Sequence, residues 1–258
     1  MIVNDKVCLI TNDVETTSLL NHKLSKKTAE YVLKQGMPRL LNLYNKYNIK
    51  STFFFTAHIA KLFPEIVKMI IPYGHEVASH GYNHEVNNSF DLLPFEKQLD
   101  HLKRSKNILE DISGNKVISF RAPAARVSKN TSRALVESGF KIDSSVSSQR
   151  LDMFFSFGVY NKLNWLFSPR LPYYTKIDNI FKKGNSNLLE IPITSFIFPY
   201  IGTFMRIFPV INRINRNFLY LETLFNNRPF VFLTHPNEFI DEKRSNNKII
   251  SRTNNPIS

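Results

Sequence analysis

The chain has 258 residues, 43% of them apolar and 21% charged, a balance that excludes a disordered chain and allows one large α/β domain with a substantial core. A single cysteine, Cys8, excludes a disulfide framework and reads as a small core hydrophobe, and no apolar run of about 18 residues marks a membrane-spanning helix. The net charge of +13 would suit an anionic partner, but no helix-turn-helix, zinc-finger or RNA-binding pattern accompanies it, so no nucleic-acid partner is expected.

In chain order, residues 7–10 form an apolar run that reads as a strand. A helix over 28–47 follows, with Val32, Leu33, Leu40, Leu41 and Leu43 at helical spacing. The β-branched and aromatic run 51–56 reads as a buried strand. A helix over 59–71 stops near Pro72 and Gly74, and 76–78 is a short third strand. Pro94 opens a long amphipathic helix that ends at Gly114. A strand at 117–120, a helix at 129–138 with Gly139 as its C-cap, and a strand at 140–142 come next. Strands at 188–193 and 230–233 flank a helix near 209–225. Repeated strand–helix alternation implies parallel pairing through right-handed crossovers, and about seven strands favour a barrel. This domain is expected over 1–240, with 150–218 as an insertion-like segment and 241–258 as a polar tail. The polar start Met1–Lys6 lacks a charged-then-apolar signal pattern, so a cytoplasmic location is expected.

Side chains at the C-terminal ends of barrel strands meet on one face. At those positions stand Asp13 and Glu15, His80 and His84, Arg121, Asp143 and His235. On one helical turn, His80 and His84 could both reach a single ion. Composition alone yields roughly 0.2 such pairs by chance, so the pair decides little by itself. Joined by Asp13 and Glu15, it reads as a metal site assembled from distant segments, and hence as an enzyme.

These motifs resemble those of the polysaccharide deacetylase superfamily (NodB homology, carbohydrate esterase family 4). Thr11-Asn12-Asp13-Val14-Glu15 resembles its first motif in an Asp-x-Glu form. His80 to His84, preceded by Gly74-His75-Glu76, resembles the second, and Arg121-Ala122-Pro123 the third. Asp143-Ser144-Ser145 is similar to the fourth, and Leu233-Thr234-His235-Pro236 to the fifth. The resemblance implies a single distorted (β/α)7 barrel and a metal-dependent hydrolase that removes N-acetyl groups from an amino sugar in a polysaccharide or glycan precursor. It further implies a divalent ion, zinc, on Glu15, His80 and His84. Asp13 would be the general base, held by Arg121, and His235 the general acid, kept charged by Asp143. The backbone N–H of Ala124 would join the oxyanion hole. The superfamily also includes hydrolases of formamides on lipid-linked sugars and of small nitrogen compounds, and a non-catalytic sugar-binding barrel is the remaining alternative. Three residues depart from the pattern: Val14 in place of a second Asp, Gly81 in place of Ser or Thr, and Ala124 in place of an aromatic.

From 154 to 218 the chain carries eight basic residues against Asp178 and Glu190. Phe154, Phe155, Phe157, Tyr160, Trp165, Phe196, Phe198 and Phe204 are interleaved with them. Such a pattern suits a sugar-stacking cleft in which Trp165 contacts the glycan, a surface for the inner face of an anionic membrane, or a packed cover over the barrel.

Overall fold

The computed structural model describes residues 6–15, 26–151, 163–226, 228–241, 244–245 and 248–249. Strand β1 (Cys8–Val14) is followed by α1 (Lys26–Tyr31), a π-helical turn (Val32–Gly36) and α2 (Met37–Lys46). Next come β2 (Thr52–Phe55), α3 (Ala57–Leu62), α4 (Pro64–Lys68) and β3 (Glu76–Ser79). They are followed by α5 (Phe95–Ser113), β4 (Ser119–Phe120), α6 (Thr131–Glu137) and β5 (Ile142–Asp143). A hairpin of β6 (Tyr173–Lys176) and β7 (Asn179–Lys183) precedes β8 (Leu189–Glu190). The short strands β9 (Ser195–Phe196) and β10 (Phe198–Pro199) lead to α7 (Gly202–Ile207), α8 (Pro209–Asn226) and β11 (Phe230–Thr234).

The main sheet runs β11-β1-β2-β3-β4-β5-β8-β6-β7. Its first seven strands pair parallel throughout, and they are the seven that the sequence pattern anticipates. The segment after β8 then curls back towards β11: Thr194 N–H donates to Val231 O at 3.4 Å, Val231 N–H donates to Thr194 Oγ1 at 2.7 Å, and Ile201 bridges Leu233. The architecture is therefore the expected seven-strand α/β barrel in distorted form, with the gap between β8 and β11 spanned by irregular chain.

Side-chain alternation divides the strands between the barrel interior and the helical layer. On β2, Phe53 packs against Tyr44 of α2 while Phe54 lies under the Arg121 guanidinium at 4.3 Å, inside the barrel. Phe53, Phe55, Met37, Leu40, Ile59 and Ile66 are fully buried between sheet and helices. Truncating one such Phe to Ala costs about 3–5 kcal/mol, so this layer fixes the strands that carry the site.

Four features differ from the sequence reading. The helix over 59–71 is broken, because Pro64 lacks an N–H and Phe63 before it is pushed out of helical geometry (φ −137°, ψ 68°). Cys8 is exposed at the start of β1 rather than buried in a core strand. The β6–β7 hairpin and α7 lie within the segment that the sequence leaves without defined elements. Finally, Trp165 is 1% exposed and packed in the core, so it cannot stack on a sugar. Phe154, Phe155, Phe157 and Tyr160 lie outside the described residues, as does most of the 241–258 tail, where Arg244–Ser245 pairs with Lys248–Ile249.

Candidate active site

Alternation along β1 sends Thr11 and Asp13 into the barrel and Asn12 and Val14 to the helical side. Asn12 donates to Ser51 Oγ at 2.6 Å and accepts from the Tyr44 hydroxyl at 2.8 Å, while Val14 joins the hydrophobic core. Position 14 therefore faces away from the site. Glu15, two residues beyond Asp13, falls on the same side as Asp13 and is the second carboxylate available to a metal.

Arg121, at the end of β4, crosses the barrel to reach β1. Its Nη1 donates to Asp13 Oδ1 and Thr11 Oγ1, both at 2.9 Å. Its Nε donates to Ser144 O, and Nη2 donates to Ser144 Oγ, again at 2.9 Å each. Arg121 and Asp13 are almost fully buried, with side-chain exposures of 1% and 7%. Such a pair holds one carboxylate oxygen in a fixed orientation and leaves the other, Oδ2, facing His80 Nε2 at 3.9 Å.

His80 and His84 do not share a helical turn. They stand on an irregular loop after β3, where Gly81 at φ +71° turns the chain left-handed. A side chain at Gly81 would also press on Phe90 at 3.2 Å, which accounts for glycine in place of Ser or Thr. The loop nevertheless brings the rings to 5.8 Å between centroids. Ligand atoms of Glu15, His80 and His84 all lie within 4.8 Å of one another. His84 Nε2 is 2.8 Å and His80 Nε2 3.4 Å from Glu15 Oε2.

This set fits a metal ion by two observations. His80 Nδ1 donates to Arg121 O at 2.8 Å, which commits the proton of the neutral ring to Nδ1 and leaves the Nε2 lone pair to the site. His80 Nε2 is buried without a hydrogen-bond partner. Burial alone would raise the Glu15 carboxyl, but His84 first, with His235 beyond it, holds it well below the usual carboxylate range.

His235 follows β11, with Nε2 3.9 Å from Glu15 Oε1. The expected His235–Asp143 pair does not form. His235 Nδ1 instead meets Glu238 Oε1 at 3.3 Å, one turn along the chain. Glu238 also accepts from Thr234 Oγ1 at 2.6 Å and from Thr203 Oγ1 of α7 at 2.8 Å. Gly202 makes room for it, since a Cβ there would lie 2.1 Å from Glu238 Oε2. Burial opposes ionisation of Glu238, yet His235, Thr234 and Arg206 hold it down to about 2. Burial likewise opposes charge on His235, but Glu238 and then Glu15 outweigh it, and the imidazole is raised.

Asp143 is occupied elsewhere. At the end of β5 it lies beside Glu190 of β8, accepts from Ser145 Oγ at 2.6 Å, and is 0% exposed. Burial raises both carboxyls, Glu190 well above its ordinary value with Asp143 as the second cause. Asp143 Oδ2 and Glu190 Oε2 are buried with no hydrogen-bond donor, which one proton shared between them would supply. The Ser145 hydroxyl also accepts from Ala122 N–H at 2.9 Å, so this pair props up the β4 loop beneath Arg121. In that loop Ala124 and Ala125 are both left-handed (φ +51° and +53°), strain of a kind concentrated at functional sites. The sequence pattern gives Glu190 and Glu238 no role in the site, although each stands where a parallel strand ends or just beyond it.

Beside the His235 flank lies a groove of about 650 Å³ lined by Arg150, Ile197, Phe198, Thr203, Phe204 and Phe208. Phe198 and Phe204 stack at 4.9 Å, and Thr203 links the groove to Glu238.

Comparison with known proteins gives relatives in sequence and in fold. A Helicobacter pylori peptidoglycan deacetylase is 37% identical over 111 residues, 43% of this chain and 37% of the relative. A Bacillus cereus peptidoglycan-N-acetylglucosamine deacetylase is 28% identical over 105 residues, 41% of this chain and 37% of the relative. The matched segments thus span little more than a third of these relatives' own length. Among solved structures, a Mycobacterium smegmatis protein assigned to the polysaccharide deacetylases superposes with a TM-score of 0.63 at 21% identity, covering 90% of this chain and 78% of that one. PuuE allantoinase superposes with a TM-score of 0.60 at 18% identity, covering 92% and 80%. At these identities the two structures speak for the fold. Residues 9–142, just over half of the chain, match the model of the polysaccharide deacetylase family, and the chain belongs to that family.

Proposed function

We propose that this chain is a metal-dependent hydrolase that removes the N-acetyl group from an amino sugar in a glycan or glycan precursor. The observation that carries the reading is the Glu15–His80–His84 cluster flanked by a carboxylate held by arginine and an imidazole held by a carboxylate. Glu15, His80 and His84 would hold the ion, and two imidazoles with one carboxylate make a donor set that zinc accepts. When bound, it supplies Lewis-acid polarisation of the substrate carbonyl and of water. Asp13, aimed by Arg121 through Oδ1, takes the proton from the attacking water through Oδ2. His235, held charged by Glu238, delivers a proton to the departing amine. The phenylalanine groove beside His235 would receive the sugar on that side.

The test is amine release from N-acetylglucosamine oligomers by metal-loaded protein, with metal content measured in parallel. Replacing His80 and His84 together by Ala should drop bound metal to near zero and abolish release while the fold persists. Unchanged metal content would overturn the ligand assignment. A cytoplasmic location, with peripheral contact to the inner face of an anionic membrane, completes the proposal and is checked by cell fractionation. The basic, aromatic composition of 154–218 supports that contact, and no helix of the described residues is long and apolar enough to cross a membrane.

A further inference from the structure

The opposite end of the barrel carries a second charged site that the hydrolase reading does not use. Strands β1 and β11 run parallel with Cys8 beside Phe230, so their starts lie roughly 20 Å from Glu15 at about 3.3 Å per residue. There a cavity of about 360 Å³ is lined by Lys6, Cys8, Arg216, Tyr220, Arg228 and Phe230, among others. Three of these are cations, and none of the described lining residues is acidic.

Arg228 is the informative member. It is 2% exposed, its Nη1 donates to Glu222 Oε2 at 3.0 Å, and its Nη2 donates to Ile193 O at 3.4 Å. Its Nε is buried with no hydrogen-bond partner, an omission that is costly for a buried donor. Glu222 is also gripped by Arg170, so one carboxylate answers two guanidinium groups. Burial and the neighbouring Arg170 push Arg228 down to about 10, so its surroundings leave room for another negative charge. Lys6, whose Nζ donates to Thr223 O at 2.8 Å, is fastened to α8 on the same rim as Arg216.

We propose that this cavity binds a phosphate monoester, with its oxygens on Lys6, Arg216 and Arg228 and its carbon substituent against Tyr220 and Phe230. Forked guanidinium groups match phosphate oxygens, and the apolar wall gives the substituent a place out of water. The monoester can come from two sources: a soluble phosphorylated compound or the headgroup of a phosphatidic-acid-type lipid. The lipid source has a second anchor beside the cavity. Helix α8 leaves Ile211, Ile214, Phe218, Leu221 and Phe225 exposed at alternating spacings of three and four, a stripe along one face.

Calorimetric titration of the full chain with inorganic phosphate and with phenyl phosphate tests the site, and co-sedimentation tests the source. The co-sedimentation uses phosphatidylcholine vesicles doped with phosphatidic acid, against phosphatidylcholine alone. Saturable binding of either phosphate probe or of the doped vesicles is expected. Arg216→Ala and Lys6→Ala, both at exposed positions, should each weaken it about tenfold, the loss of roughly one charge-assisted hydrogen bond. A soluble source gives probe binding without sedimentation. A lipid source gives sedimentation with the doped vesicles alone, weakened by Phe218→Ser. Absence of binding in every arm, or binding indifferent to both cation substitutions, overturns the proposal. Because the readout is binding, it is independent of whether the strand-end cluster hydrolyses an amide.

Discussion

Asp13 approaches the Glu15–His80–His84 cluster past His80, and His235 approaches it past Glu15, but the two are held by different parts of the fold. The Asp13 flank is drawn from strands: β1 supplies the carboxylate, β4 leads into Arg121, and Ser144 after β5 anchors the guanidinium. The His235 flank is local, a carboxylate three residues along the same chain, steadied by Thr234 and by Thr203 of α7. A buried ion pair that ties strands together couples catalysis to stability, whereas a one-turn contact can be altered while the barrel stays folded. The two flanks should therefore fail differently.

The largest expected effect is on the strand-built flank. Asp13→Asn keeps the shape and should retain the metal, but a lost general base costs roughly 10²–10⁴ in rate. Both Asp13→Asn and Asp13→Ala leave the buried Arg121 without its carboxylate and should cost about 3–5 kcal/mol, read as a fall in urea midpoint, with Asp13→Ala the lower of the two because it also removes the acceptor for Nη1. An unchanged midpoint in both variants would break the coupling argued for this flank.

On the local flank, Glu238→Gln should lower the rate at neutral pH about tenfold and lower the urea midpoint by less than the Asp13 variants, since it gives up a charged acceptor of Thr203 and Thr234 but leaves no buried arginine behind without its carboxylate. The sign follows from His235. Its raised pKa depends first on Glu238 and then on Glu15 overcoming burial, so removing one negative charge makes the imidazole release its proton at lower pH. The alkaline limb of the pH–rate profile should move down accordingly. A limb that stays in place would mean that Glu238 does not set the acid. Weaker still is the groove: Phe204→Ala should raise KM for oligosaccharides a few-fold through lost ring contact, with kcat unchanged. A change in kcat alone would place Phe204 outside the binding contacts.

The same contrast explains what the sequence could and could not reveal. Seven strands and the residues at their ends were legible because apolar runs, β-branched content and Gly or Pro stops are local signals, as at Thr52–Phe55 and Gly114. Glu15 was legible as an acid just past the first apolar run and through the resemblance of its motif, whereas the alternation that turns it to the site needs the longer strand Cys8–Val14 of the structure. The partner of His235 was not, because pairing depends on where loops fold back: Glu238 competes with Asp143 through α7 and Gly202, which no periodicity announces. The loop geometry that brings His80 to His84 without a helix depends on a left-handed Gly81, and spacing alone suggested a helical turn. Trp165 shows the limit of composition, since an aromatic among cations packs inward as readily as it faces a ligand.

Asp143 and Glu190 give the smallest effect and the sharpest test of the strand-built flank. If they share a proton, Glu190 keeps its hydrogen in the folded state at pH values where the unfolded chain has lost it. A carboxyl whose folded pKa is raised contributes most at low pH. Its contribution declines as pH rises from the unfolded value, near 4.3, towards the raised one. Gln at position 190 mimics the protonated acid: its carbonyl still accepts from Val146 N–H, as Glu190 Oε1 does at 3.0 Å, and its amide donates to Asp143. Glu190→Gln should therefore leave the melting temperature near that of the parent at pH 4, and hold it between pH 5 and 8 where the parent declines. Parallel pH profiles for the two proteins would show that the carboxyls titrate independently, and Arg121 would then rest on a charged floor rather than a neutral one.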